Sequence, residues 1–139
     1  MKRILLLVCA IISLVAFLSG CGIPVFVNVE CDEFTQQKNV SREIDVWPSY
    51  IVTVYLCSNP STGFRWSESA VISDQSVIKQ TWHEFIAPEE PIPGAPGKEM
   101  WTFKATQKGT STIKMEYSRP GEDGEKPEST FTLTVTVEY

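Results

Sequence analysis

His83 is the only histidine in the 139 residues, so a Ser-His-Asp or Cys-His nucleophilic set could be assembled only through it. It lies in the strand-like run Trp82-His83-Glu84, where no local signature of such a set surrounds it, and it reads as a surface histidine. A zinc site needs several His or Cys ligands at short spacings; this chain has one His and no C-x-x-C among its four cysteines. The acidic run Gly121–Glu128 (GEDGEKPE) lacks the alternating ligands and closing Glu of a calcium loop and reads as a solvated hairpin tip. No Gly-rich turn leads from a strand into a helix, so there is no phosphate cradle. These residues predict no catalytic group, no metal and no cofactor, and the chain is not expected to be an enzyme.

Composition narrows the partners. Lys2 and Arg3 are the only charges in the first 20 residues, so the remainder carries 10 basic and 17 acidic groups, net −7. Nucleic-acid binding requires clustered Lys and Arg to displace counterions, and an acidic body does not supply them. It is equally unsuited to electrostatic docking on anionic lipid. Hydrophobic residues make up 42% of the chain, enough for a packed core, and the length suits one domain plus a processing segment.

The elements that would position any site are strands. Val40–Val46 alternates loosely, Trp47-Pro48-Ser49 turns, and Tyr50–Leu56 is rich in β-branched and aromatic residues with Val52, Val54 and Leu56 on one face. Phe64 and Trp66 flank an outward Arg65. Further strands are expected over Val77–Phe85, Met100–Ala105, Thr110–Tyr117 and Thr130–Val137; in the last, Phe131, Leu133, Val135 and Val137 alternate with threonines. Helical periodicity is weak, with at most one turn over Glu68–Ser76. Six to eight short strands separated by Gly/Pro turns read as an all-β sandwich. Ala87–Gly97 (APEEPIPGAPG) holds four prolines and two glycines, so it is a long loop rather than a central strand.

Ile4–Leu18 is apolar except for Ser13, follows Lys2-Arg3, and at 15 residues is short for a membrane span, the pattern of an export signal. It ends Leu18-Ser19-Gly20-Cys21, which resembles the lipobox of bacterial lipoproteins. The resemblance implies residues 1–20 as a signal peptide and Cys21 as a lipidated first residue; the alternative is an ordinary signal peptide with an incidental cysteine. Stable anchoring takes more than one acyl chain. Residues 21–33 are then a lipidated tether, expected to be extended and unpacked, and 34–139 the folded domain. The expected location is outside the cytoplasm, at the cell surface or in the periplasm, held to a membrane.

Asn59-Pro60-Ser61-Thr62-Gly63-Phe64 lies between two strands. Pro60 restricts itself and Asn59, Gly63 can take positive φ, and the Asn, Ser and Thr side chains can bond the local backbone. A stiff, uncharged, narrow projection follows. Taken on its chemistry alone, it is also a well-made turn.

The segment resembles the N-P-T-T-G-Y/F motif of chagasin-like inhibitors of papain-type cysteine peptidases, and Trp66 fits beside it. Gly94-Ala95-Pro96-Gly97, with Trp101 after it, resembles that family's G-x-G-G loop, and Tyr117-Ser118-Arg119-Pro120 its Y-x-R-P-W loop. Pro96 stands in place of a usual glycine and Gly121 in place of a usual tryptophan. The resemblance implies an immunoglobulin-like sandwich of about seven to eight strands with three loops at one end. It implies a monomer that inhibits papain-like peptidases reversibly and non-covalently. Asn59, Pro60, Ser61, Thr62, Gly63 and Phe64 would cover the catalytic cysteine, while Gly94, Gly97, Arg119 and Pro120 would grip the cleft walls. The alternative is a surface lipoprotein whose immunoglobulin-like domain serves adhesion or ligand binding without inhibition.

With Cys9 in the signal and Cys21 lipidated, Cys31 and Cys57 remain, and export permits them to pair. The alternative is two buried thiols. The first strand is expected to pair antiparallel with Tyr50–Leu56, so the bond would brace the base of the Asn59–Phe64 loop and leave the anchor near that same end.

Overall fold

The computed structural model describes residues 22–121 and 126–139. The chain runs through β1 (Pro24–Val29), a short helix α1 (Cys31–Gln36), β2 (Asn39–Val46) and β3 (Ile51–Ser58). A 3-10 turn (Pro60–Thr62) then precedes β4 (Arg65–Trp66) and β5 (Val71–Ile72). Four long strands complete it: β6 (Ile78–Ile86), β7 (Gly97–Ala105), β8 (Gly109–Ser118) and β9 (Ser129–Val137). One sheet has the order β1-β3-β7-β6; the other has β2-β9-β8-β4, with β5 also on β8. β1 lies parallel to β3 and β2 parallel to β9, while the other pairings are antiparallel.

The alternating residues face one another across the two sheets. Val52, Val54 and Leu56 of β3 and Trp101, Phe103 and Ala105 of β7 are fully buried from one side. Ile113 and Met115 of β8 and Phe131, Leu133 and Val135 of β9 meet them from the other. The threonines of β9 take the outer face, where β-branched residues suit a half-exposed sheet. This is the all-β sandwich expected from the strand pattern, in the immunoglobulin-like form that the resemblance implies.

Three expectations are corrected. Residues 22–33 are not an unpacked tether: β1 runs the length of β3, pairing Pro24 with Ile51 and Val29 with Leu56, and buries Val27 and Val29. The first strand does not pair antiparallel with β3; β1 pairs with it in parallel, and β2 crosses to the other sheet. Residues 68–76 form no helix; Val71-Ile72 pairs instead with Lys114 and Ile113 of β8.

β1 carries the chain the full length of the sandwich, so Gly22 and Cys31 lie at opposite ends. Gly22 packs against the Ser49 carbonyl at the β2–β3 turn, whereas Cys31 reaches Cys57 at the far end of β3 in a disulfide with a Cα–Cα distance of 5.1 Å. α1 starts with a reciprocal capping box between Glu30 and Glu33 and sets Phe34 5.2 Å from the Trp66 ring.

Candidate functional site

The end of the sandwich where β3 and β8 finish and β7 begins gathers the three loops singled out by sequence. Asn59 sits where they meet. Its side-chain Oδ1 accepts from the Ser61 amide at 3.3 Å and the Ser61 hydroxyl at 2.6 Å. Its carbonyl accepts from the Thr62 hydroxyl at 2.7 Å, and the Thr62 amide donates to it at 3.1 Å. The Gly63 amide donates to Pro60 O at 3.1 Å, which closes the turn with Gly63 at φ 83°. A side chain would be strained at that φ, although no atom lies within 4 Å of where its Cβ would go. The loop is therefore rigid through its own hydrogen bonds, while Ser61, Thr62 and Gly63 stay exposed.

Asn59 also ties this loop to its neighbours. Its Nδ2 donates to Gly94 O at 3.0 Å, joining it to the Pro-rich loop. Its amide donates to the Tyr117 hydroxyl at 3.2 Å, and that hydroxyl donates back to the Asn59 carbonyl at 3.3 Å, joining it to the end of β8. The Phe64 ring stacks on Tyr117 at 5.6 Å, and the Arg119 guanidinium lies 4.6 Å from the Phe64 centroid. Beneath, Trp66 donates from its indole N–H to Cys57 O at 2.9 Å and packs on Tyr117 and Trp101. The Cys31–Cys57 disulfide fixes the same strand end two residues before Asn59.

The loop residues are not equally placed. Asn59 and Pro60 are half-buried, as is Phe64, while Gly94, Arg119 and Pro120 are exposed. Gly97 is different: it is the first residue of β7, pairs with Ser58, and is buried. A Cβ there would stand 2.4 Å from Ile86 O and 2.7 Å from the Phe85 ring, so its lack of a side chain serves strand packing. Gly97 thus lies in β7, at the base of the Pro-rich loop rather than in its exposed part. Cys21 lies outside the described residues.

His83 also departs from expectation. It is not a surface histidine: its side chain is 19% exposed and lies 2.5 Å from a carboxylate oxygen of Glu99, itself 7% exposed. The Ser58 hydroxyl donates to the other Glu99 oxygen at 3.3 Å, and the His83 ring packs on Trp101 at 5.0 Å. The acid stands between the hydroxyl and the imidazole, so the imidazole does not face Ser58 and the order is not that of a Ser-His-acid set. It satisfies a buried carboxylate at the root of the Asn59 loop. Among the described residues, no group of three His, Cys, Asp or Glu side chains is placed to hold a metal ion.

The described residues thus form a two-sheet sandwich with a multiply tied loop cluster at one end. The comparisons give it a family: residues 48–135 match the model of the chagasin family peptidase inhibitor I42. Amoebiasin-2 of Entamoeba histolytica is 32% identical over 87 residues, 63% of this chain and 70% of that relative. The crystal structure of the cysteine protease inhibitor EhICP2 from Entamoeba histolytica is similar with a TM-score of 0.62 at 24% identity, covering 86% of this chain and 100% of that one. Leishmania mexicana ICP is similar with a TM-score of 0.52 at 25% identity, covering 75% and 93%. The structure of PbICP-C in complex with falcipain-2 gives a TM-score of 0.53 at 17% identity, covering 84% and 100%. The chain belongs to the chagasin family of peptidase inhibitors, and the family and its neighbours are inhibitors rather than enzymes.

Proposed function

We propose that this protein inhibits papain-type cysteine peptidases reversibly and without covalent chemistry, by seating the Asn59–Phe64 loop in the active-site cleft. What carries the reading is the Asn59 junction, which holds a narrow, uncharged loop in one conformation by bonds to itself, to Gly94 and to Tyr117. A preorganised loop loses little entropy on binding, and a 3-10 turn resists the extended pose that cleavage needs. Exposed Ser61 and Thr62 lie nearest the peptidase nucleophile in this arrangement. Gly94 on one side and Arg119 and Pro120 on the other meet the cleft walls, in an interface of about 800 Å² per partner. Neighbours in the family supply the target class, since one is a complex with falcipain-2.

The proposal includes export and attachment to a membrane through a lipidated Cys21, which rests on Leu18-Ser19-Gly20-Cys21 following an apolar run. Titration of the protein against papain and a cathepsin tests the inhibitory reading: tight inhibition with the inhibitor left uncleaved is expected. Absence of inhibition with an intact fold would favour the adhesion or ligand-binding alternative.

A further inference from the structure

We infer that the end of the sandwich opposite the Asn59 loop is a membrane-docking surface that seats on the lipid interface and directs the inhibitory loops away from it. The inference rests on the proposed membrane attachment at Cys21 and adds an orientation to it. The Ile51 amide donates to Ile23 O at 3.2 Å, so the chain enters β1 beside the β2–β3 turn. That turn carries Trp47, and the Tyr50 amide donates to Trp47 O at 3.2 Å. Glu138, one residue before Tyr139, donates its amide to Val46 O at 2.9 Å, bringing the C-terminal aromatic to the same end. Ile23, Trp47 and Tyr139 are 55%, 57% and 74% exposed, and none of them contributes to the core between the sheets.

The occupant follows from chemistry and chain path. Trp and Tyr with a flanking Lys are the side chains that sit at the headgroup level of a bilayer, and Lys108 places its ammonium 5.9 Å from the Tyr139 ring. Cys21 precedes Gly22 in the sequence, and the Gly22 backbone packs on Ser49 at this end, so the described chain begins beside the patch and one residue from the proposed anchor. From there β1 carries the chain six residues, about 20 Å at strand rise, before it reaches Cys31 and the loop end. The orientation requires no anionic lipid, because the contact is aromatic and aliphatic.

The test uses the full chain purified from bacterial membranes and reconstituted in phosphatidylcholine vesicles, with acyl chains brominated near the headgroup. The expected result is flotation with the vesicles and bromine quenching of tryptophan fluorescence that Trp47→Phe removes and Trp82→Phe does not. Papain added outside should be inhibited as well as it is by detergent-solubilised protein. Flotation with quenching unchanged in Trp47→Phe overturns the docking surface while leaving the anchor intact. Failure to float overturns the anchor and the orientation together. Loss of inhibition on the vesicles alone, with inhibition kept in detergent, shows the loops turned toward the lipid and overturns the orientation.

Discussion

The side-chain amide of Asn59 donates to the carbonyl oxygen of Gly94 at 3.0 Å, and this bond joins two loops that lie 35 residues apart in the chain. The same residue brackets the Tyr117 hydroxyl with its amide and carbonyl. The spatial order of the loop cluster therefore depends on one half-buried asparagine together with the Trp66 and Tyr117 packing beneath it.

Asn59→Ala should separate loop order from fold stability. It removes the bond to Gly94 and both bonds from Ser61 but leaves the backbone bonds to Tyr117. A neutral hydrogen bond contributes about 0.5–1.5 kcal/mol net, so a loss of roughly tenfold or more in papain affinity is expected with only a small fall in melting temperature. Inhibition constants for the two proteins, with thermal melts alongside, check it. An unchanged constant would mean that the loop keeps its shape without Asn59.

Thr62→Arg and Gly63→Val probe the tip in different ways. Thr62 is exposed, so arginine there should block entry into a cleft while costing about 1 kcal/mol at most through the lost hydroxyl bond to Asn59. Gly63→Val meets no atom within 4 Å but must hold φ near 83°, which costs about 1–3 kcal/mol for a β-branched residue. Papain inhibition should be abolished by Thr62→Arg and weakened by Gly63→Val, and the second should also lower the melting temperature. Full inhibition by a folded Thr62→Arg protein would place the binding surface elsewhere.

Removing the Cys31–Cys57 bond with Cys31→Ala/Cys57→Ala reopens a loop of sequence separation 26 and should lower stability by roughly 3 kcal/mol. Denaturant unfolding of both proteins measures this, and thiol alkylation under non-reducing denaturation should label neither cysteine in the parent. Both thiols alkylating there would remove the disulfide from the account.

Gly97→Ala should act on the fold. Its Cβ would lie 2.4 Å from Ile86 O, backbone that cannot move without disturbing the β6–β7 ladder, so a cost of about 1–3 kcal/mol is expected. Any loss of inhibition should track the fall in melting temperature. A strong loss at unchanged melting temperature would return Gly97 to the contact surface.

Much of this was legible in the residues. The alternation of β9, the apolar face of β3 and the turn chemistry of Asn59–Phe64 follow from local rules, and each element formed where those rules placed it. What was not legible depended on partners distant in sequence. Val25, Val27 and Val29 alternate as a strand should, yet residues 21–33 read as an unpacked tether because the partner strand β3 lies some 27 residues later, as in Pro24 with Ile51. That single omission moved the chain's entry point to the wrong end. Gly97 looked like a loop glycine because only the approach of Ile86 and Phe85 reveals its packing role. His83 carried no signal of Glu99 sixteen residues on, since pairing across β6 and β7 sets that contact.

Gly121 is where motif and backbone disagree. The family pattern has tryptophan there, and a buried Trp at an interface contributes 2 kcal/mol or more when it fills a pocket, as an order-of-magnitude guide. On that ground alone Gly121→Trp should tighten binding. Gly121, however, is exposed with φ at 89°, a conformation that costs an L side chain roughly 1–2 kcal/mol. The substituted loop must either hold that strain or abandon the turn that follows Pro120, and the second choice also moves Arg119 off the Phe64 ring. The strain and the lost preorganisation offset most of the gain in contact area. We expect Gly121→Trp to leave papain inhibition unchanged or weaker, with a melting temperature lowered by a few degrees where the loop holds the strain, as for Gly63→Val. Gly121→Ala is the control: it imposes the same φ penalty with no new contact and should weaken inhibition slightly. Inhibition constants for the three proteins against papain decide it. Tightening of tenfold or more by Gly121→Trp, about 1.4 kcal/mol, would show that the loop leaves its positive φ readily and that the missing tryptophan is what limits affinity.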